Sequence, residues 1–498
     1  MPTGEVQISI IDSGASVVVP QNKVQLVMGC CSSGTASQII ATTSPATLTQ
    51  NLGYGPLVEA ASLTCLAGGI VLAVKVPTVT AGTVSGVVQT YTSSTTTITV
   101  SGVPYDDSYW VVKSVQTGVI GTYSALANQV QIQISADAGR NFSATITLGT
   151  ATAYAIPNTG LTLNFSNSST FAAGDYVKFY SAAPVWNTAG VQAALQAYQQ
   201  SQYAIAQVGS MHLVGPCGGA TASTLETYMD TLATGYLFGR LIVSARDAGA
   251  PTAYNGTGEA EQSWMSSISN DYASVSARRI CANAAYWNMP TGIVNPVLGA
   301  PAYRRSLAWS LAARQVTIPP QRHAGRVRDG SLPQIAINAS ADPLDGFIYH
   351  DERINPGLDA ARFCTSVTRI GKQGVFIKNP NLMSPSGSQF TLLPLGNVMD
   401  IACSIVHQGG EDYIDDDVRT NPNGTIYTND AQAIQAQIGA DLQVQMVGTG
   451  EIVAASVVVN PTWNVASTSI VQMTVNITAK SYVLEEDISI QLASPTAG

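Results

Sequence analysis

The chain has 498 residues, enough for about two to four domains and a large core. Only 11% of them are charged and the net charge is −9. That balance excludes nucleic acid as the main partner, because phosphate binding needs a surplus of Lys and Arg. Gly, Ser, Thr, Ala, Asn and Gln take the place of charge, which suits an exterior buried against copies of itself, although a secreted β-protein shares this composition.

The first residues lead directly into alternation. Val6, Ile8 and Ile10 alternate with Glu5, Gln7 and Ser9, the period of a strand with one buried face. No basic and apolar leader precedes them. The apolar run 63–76 is broken by Thr64, Gly68, Gly69 and Lys75. The expectation is a chain made in the cytoplasm, with no membrane insertion. Seven cysteines, without a Cys-x-x-Cys, read as buried free thiols. At the adjacent Cys30-Cys31 a vicinal disulfide or metal site competes with that reading.

Lys23–Gly29 reads as a short buried strand. Ala46–Leu52 reads as a helix stopped by Gly53-Tyr54-Gly55-Pro56, Leu57–Ala67 as a second helix, and Ile70–Val76 as a buried strand closed by Pro77. This order suggests the edge of an α/β layer. From Thr78 to about Ala183 the chain turns Thr-, Ser-, Gly- and Val-rich with few charges. Short runs at 84–93, 95–100, 109–115, 130–135, 144–148, 161–165 and 176–180 predict a β-sandwich or small barrel inserted into an α/β parent.

The parent resumes at Val185, with Thr188 as the expected cap of a helix over 189–206. Strands are expected at 211–214, 241–244 and 274–282, and a helix at 259–270. Ser223-Thr224-Leu225-Glu226 has the form of a capping box, opening a helix that ends at Gly235. An Ala/Leu/Arg helix is expected over 302–314, short strands at 347–350 and 374–378, and helices over 394–408 and 429–446, the last capped by Asn429. β runs at 452–460, 470–478 and 482–492 close the chain. Within the last, Ile488, Ile490 and Leu492 alternate with Ser489 and Gln491. Unpaired strands at both ends are a liability. Either they fold back into the chain's own sheets, or they are arms that add strands to neighbouring copies.

Catalytic patterns are scarce. Four histidines are present, and there is no Gly-x-Ser-x-Gly or His-Glu-x-x-His. Gly371-Lys372 lacks the rest of a phosphate-binding loop. His350-Asp351-Glu352 is the candidate for a metal or general base, against a loop with ordinary salt bridges. Glu411, Asp412 and Asp415-Asp416-Asp417 form an acidic cluster without calcium-loop spacing, whose simple reading is a solvated helix end. Arg304, Arg305, Arg314, Arg322, Arg326 and Arg328 form an opposed basic run. Arg322, Arg326 and Arg328 facing Asp415, Asp416 and Asp417 are therefore candidate inter-subunit patches, against internal salt bridges plus solvated charge.

Three stretches resemble the tail sheath proteins of contractile-tailed bacteriophages (myoviruses), a group related to the sheaths of contractile bacteriocins and type VI secretion. They are Leu52-Gly53-Tyr54-Gly55-Pro56-Leu57 with Gly69–Val76; Gly374-Val375-Phe376-Ile377-Lys378-Asn379 through Ser386-Gly387-Ser388 to Val398-Met399-Asp400; and the closing Leu484-Glu485-Glu486-Asp487-Ile488-Ser489-Ile490. The resemblance implies a structural subunit that is not an enzyme and uses no cofactor. It implies stacked hexameric rings around a tail tube, strand exchange between neighbours, and contraction that drives the tube through the host envelope. The implied partners are further copies of the chain, the tube, baseplate and tail terminator proteins, and the implied place is the virion tail.

The expected fold is an α/β core with a largely parallel sheet, an inserted all-β domain, and an α+β C-terminal domain with terminal strand arms. Its parts are an N-terminal arm (1–20), core (21–77), outer β domain (78–183), core again (184–387), a tube-facing C-terminal domain (388–480) and a C-terminal arm (481–498). The expected arm residues are Val6, Ile8, Ile10, Ile488, Ile490 and Leu492. The alternative is a virion-surface adhesin binding a receptor through the β domain, where Tyr105, Tyr109 and Trp110 would be the contact residues.

Overall fold

The strand Val24–Gly29 is buried along its whole length because it lies inside a sheet covered on both faces. The computed structural model describes residues 23–122, 128–204, 208–249, 258–289, 303–333, 335 and 348–484. Among these, the largest sheet has six strands, in the order Ile280–Asn283, Leu241–Ser244, Ser210–Pro216, Val24–Gly29, Ile70–Lys75 and Ile39–Thr42. All neighbours pair parallel except the edge strand Ile39–Thr42, which runs antiparallel to Ile70–Lys75. That edge strand has no apolar alternation and was not expected from the sequence. The architecture is thus mixed α/β with a partly parallel sheet.

Helices cover both faces. On one face lie α1 (Pro45–Leu52) and α2 (Pro56–Leu66). Gly53 ends α1 at φ +70, and its N–H donates to the Thr49 carbonyl. The other face packs on α3 (Thr188–Gln199), α4 (Gly219–Thr234) and α5 (Glu261–Tyr272). The helix α6 (Leu307–Gln315) joins the α2 side, and every one of its residues is buried.

Several local expectations are corrected. The cap of α3 is Asn187, whose side chain accepts from Gly190 N–H, and α3 ends at Gln199 with a short 3-10 turn after it. The capping box does not form. Helix α4 starts at Gly219, the Ser223 hydroxyl donates to the Gly219 carbonyl, and Glu226 instead accepts from the N–H groups of Arg278 and Arg279. Of 274–282 only the end is strand, Ile280–Asn283. The stretch 302–314 is a strand, Tyr303–Ser306, running into α6. Residues 348–350 are not strand, and Tyr482–Leu484 are not either.

Between Ile70–Lys75 and α3 the described chain contains β strands and no helix. All seven expected runs coincide with strands there, for example Leu161–Phe165 and Tyr176–Ala182. A five-stranded and a three-stranded antiparallel sheet enclose a core of their own. Trp110 lies in that core, stacked on Phe179 at 5.8 Å with its Nε1 donating to Ser181 Oγ. Strands Thr78–Thr80 and Val185–Trp186 pair antiparallel where the chain enters and leaves this segment.

The C-terminal part packs α7 (Leu393–Glu411), α8 (Thr428–Leu442) and the hairpin Ile452–Val459/Met473–Ala479 around a fourth core. Ile434, Ile438, Leu442 and Met446 are buried at their expected spacing. Asn429 sits inside α8 and does not cap it, and the helix passes into a π turn, Gln443–Val447.

One buried group makes the sheet sensitive to acid. His212 lies in register with Val27 and Ile242, which face α2 and α6, so its ring enters the same apolar layer. It is wholly buried, and neither ring nitrogen has a hydrogen-bond partner. Burial pushes its pKa down to about 3. Stability is therefore complete above the ordinary imidazole value of about 6.5 and is lost as pH falls toward the folded value. Urea unfolding of the His212→Leu variant should show a shallower acid loss than wild type, by up to about 1.4 kcal/mol per pH unit below pH 6. Equal slopes would mean the ring is solvated.

Candidate functional site

Three buried clusters of charged side chains lie where parts of the chain meet. Arg305, on the strand Tyr303–Ser306, is the densest of these points. Its Nη2 lies 2.9 Å from Glu59 Oε2 on α2 and 2.9 Å from Asp106 Oδ2, in the loop before strand Ser108–Gln116 of the β-rich segment. Nη1 donates to the Asp107 carbonyl, and the guanidinium stands 4.8 Å from the Tyr303 ring centroid and 5.3 Å from that of Trp309. Burial opposes the charge, but the Asp106 and Glu59 carboxylates outweigh it and hold the Arg305 pKa above its ordinary value. Burial pushes Asp106 well above the usual carboxylate range despite the facing arginine. The neighbouring Arg304 forks onto Asp247, with contacts of 2.6 and 2.7 Å, and lines a cleft of about 260 Å³ between core and β-rich segment.

A second junction ties α7 to the sheet. Arg240, just before strand Leu241–Ser244, contacts both oxygens of Asp400, each at 2.8 Å. Arg279 adds a contact of 3.3 Å to Asp400 and one of 3.0 Å to Asp230 on α4. Burial lowers the Arg240 pKa and raises that of Asp400. A Cβ at position 396 would stand 2.6 Å from Arg240 Nε, so any larger residue there would displace the ion-paired side chain.

His350-Asp351-Glu352 is a third charged point, and it is structural in form. The His350 ring bridges two carboxylates, Glu261 at 2.8 Å and Glu352 at 3.1 Å, against the Trp264 ring. Burial alone would lower its pKa, but the bonds to Glu261 and Glu352 raise it. The remaining oxygens are occupied: Glu352 accepts from Gly357 N–H and Asp351 from Arg353 and Thr368 N–H. A ring held between two anions, with these oxygens engaged in the fold, suits an ion pair better than a general base. All seven cysteines are free, including the adjacent Cys30 and Cys31.

The candidate inter-subunit patches separate into engaged and open groups. Arg322 and Arg326 share Asp329 within the chain, at 3.8 and 3.2 Å, whereas Arg328 is exposed. Arg304, Arg305 and Arg314 are engaged inside, the last with the Ser331 and Gly330 carbonyls. Asp415, Asp416 and Asp417 are exposed in the turn after α7. The arm residues Val6, Ile8, Ile10, Ile488, Ile490 and Leu492 lie outside the described residues. An open edge does exist for a strand to join. The C-terminal hairpin rests on α8 by Ile452, Val457 and Val459, and neither outer edge has a strand beside it among the described residues.

Sequence reasoning missed Glu59, Arg240 and Asp400. Glu59 and Asp400 are lone charges inside apolar runs, Leu57–Ala61 and Val398–Ala402, and Arg240 directly precedes the run Leu241–Val243; in a chain with so little charge that isolation is the available signal.

A chain of the anti-feeding prophage baseplate, solved with six-fold symmetrisation, superposes with a TM-score of 0.50 at 8% identity, over 99% of this chain and 100% of that one. It has the same fold. Sheath tail proteins from Desulfitobacterium hafniense (9% identity, TM-score 0.44, 96% of this chain and 100% of that one) and Listeria innocua (10%, 0.43, 94% and 96%) are further structural neighbours. No curated protein matches the chain in sequence.

Removing one partner of a buried pair strands the other charge. Arg240→Met and Arg305→Met should each lower the unfolding free energy by about 3–5 kcal/mol in chemical denaturation. Arg419→Met, which breaks the exposed pair with Asp430, serves as a control that changes little. Near-wild-type stability of both buried variants would show that water reaches these carboxylates.

Residues 3–381 match the family model described as DUF2586, N-terminal domain, and with more than half of its length so matched the chain belongs to that family.

Proposed function

We propose that the chain is the structural subunit of a contractile phage tail sheath. It polymerises as stacked hexameric rings around a tail tube and shortens to drive the tube through the host envelope. The observation that carries this reading is the full-length fold match to a chain of the anti-feeding prophage baseplate. The open C-terminal hairpin adds to it, because main-chain hydrogen bonds along such an edge bind a neighbour's strand without special chemistry. The terminal segments around Val6–Ile10 and Ile488–Leu492 supply those strands. The buried ion pairs support rigid-body rotation of each subunit, since they hold its parts together while contacts between subunits change.

In this reading the β-rich segment Thr78–Ala183 faces outward and the C-terminal part faces the tube. Partners are further copies of the chain, the tube, the baseplate and the tail terminator, met after assembly in the host cytoplasm. No nucleotide, cofactor or catalytic step enters. Of the three aromatics on which the adhesin reading rests, Trp110 is core, while Tyr105 and Tyr109 are half-buried.

Negative-stain microscopy of the purified chain should show tubes or rings. Deleting Met1–Ser13 or Tyr482–Gly498 should leave a folded, soluble monomer that does not polymerise. A collapse in thermal stability of either truncation would mean that these strands complete the chain's own sheets. Removing Thr78–Ala183 with a short linker should leave polymerisation intact.

A further inference from the structure

Two exposed features of opposite charge share one design, a single apolar side chain among like charges. The first is the hairpin Ser366–Arg369/Lys372–Ile377, which turns through Ile370 and Gly371, the latter at φ +74. Ile370 is 89% exposed, the highest value for any large apolar residue described. A groove of about 570 Å³ beside it is lined by apolar Val327, Val367 and Ile370 and by Arg353, Arg369, Lys372 and Lys378. Glu352 also lines it, but its carboxylate is held by His350 and Gly357 N–H. Among the described residues only Arg353 of these four cations has a carboxylate within 4.0 Å, Asp351 at 3.8 Å.

The second feature is the turn between α7 and α8. Asp412, Asp415, Asp416 and Asp417 are exposed there, and none has a cation within 4.0 Å among the described residues. Arg419, the nearest cation in sequence, is taken by Asp430. Ile414 stands among these carboxylates, 70% exposed. Asp415 adopts φ +62, so the chain reverses at this point. The turn lies at the far end of the 19-residue α7, about 17 Å along the helix from Asp400, its last residue at Arg240. Neither feature has its charge answered within the subunit.

We propose that the acidic turn of one copy docks in the basic groove of a second copy. Ile414 enters against Val367 and Ile370, and the aspartates face Arg369, Lys372 and Lys378. The contact joins two different patches, so a head-to-tail arrangement leaves each copy a free turn or groove and propagates from copy to copy. Apolar burial at its centre is ringed by complementary charge, which fixes register and rejects other pairings. The contact rests on the reading of the chain as an assembly subunit. It replaces Arg322 and Arg326, which are engaged with Asp329, as the basic partner of that acidic cluster.

The test uses full-length chains and sedimentation velocity. One variant carries Lys372→Glu and Lys378→Glu, and the other carries Asp416→Lys and Asp417→Lys. Thermal unfolding checks that both fold as wild type. Each alone should self-associate at least about tenfold more weakly than wild type. An equimolar mixture should recover association, because each variant's hairpin then meets the other's turn with opposite charge. Unchanged association of either variant, or no recovery in the mixture, would overturn the contact while leaving a polymerising wild type as an assembly subunit. A wild-type chain that stays monomeric at all concentrations would overturn both.

Discussion

A guanidinium withdrawn from water costs several kcal/mol unless anions meet it, and Arg305 is where that requirement joins three parts of the chain. Glu59 comes from a helix of the α/β layer, Asp106 from the loop feeding the β-rich segment, and Arg305 from the strand that opens α6. None of the three is tolerable alone at that depth. Their meeting fixes how the β-rich segment sits on the sheet. Arg240 and Asp400 do the same for α7 at the opposite side of the chain's organisation. In a chain with little charge, these few interior ion pairs fix the orientation of the parts they join.

Around these junctions the layers are conventional. The sheet is apolar on both faces, and α1, α2 and α6 on one side and α3, α4 and α5 on the other remove it from water. The C-terminal hairpin lacks that protection. Two strands packed on α7 and α8 expose main-chain donors and acceptors along both outer edges, an arrangement that soluble monomers usually avoid.

The period of the apolar residues made most elements legible. Val24–Gly29, Leu241–Ser244 and Leu161–Phe165 are where alternation or a continuous apolar run put them. Local grammar misled where a distant partner was stronger. Ser223 and Glu226 have capping-box spacing, yet Glu226 meets two backbone N–H groups ahead of strand Ile280–Asn283, and the helix starts earlier. Residues 302–306 have helix-forming composition, yet Arg304 must reach Asp247 while Arg305 reaches Glu59. Successive residues of a strand point to opposite faces and successive residues of a helix do not, so the two ion pairs select the strand. At the candidate sites, the acidic turn was readable as exposed, but the basic run was not, since sequence spacing cannot tell a solvated arginine from one sealed under Trp309.

Depth also divides the electrostatics by their response to the medium. Ions screen exposed charges over about 8 Å at physiological strength but reach buried pairs poorly. The Arg305 and Arg240 clusters therefore keep their strength from dilute buffer to brine, whereas the carboxylates beside Ile414 and the lysines beside Ile370 lose theirs. A chain built this way keeps its internal geometry in any electrolyte, and in the proposed assembly the contacts it makes through exposed charge follow the salt.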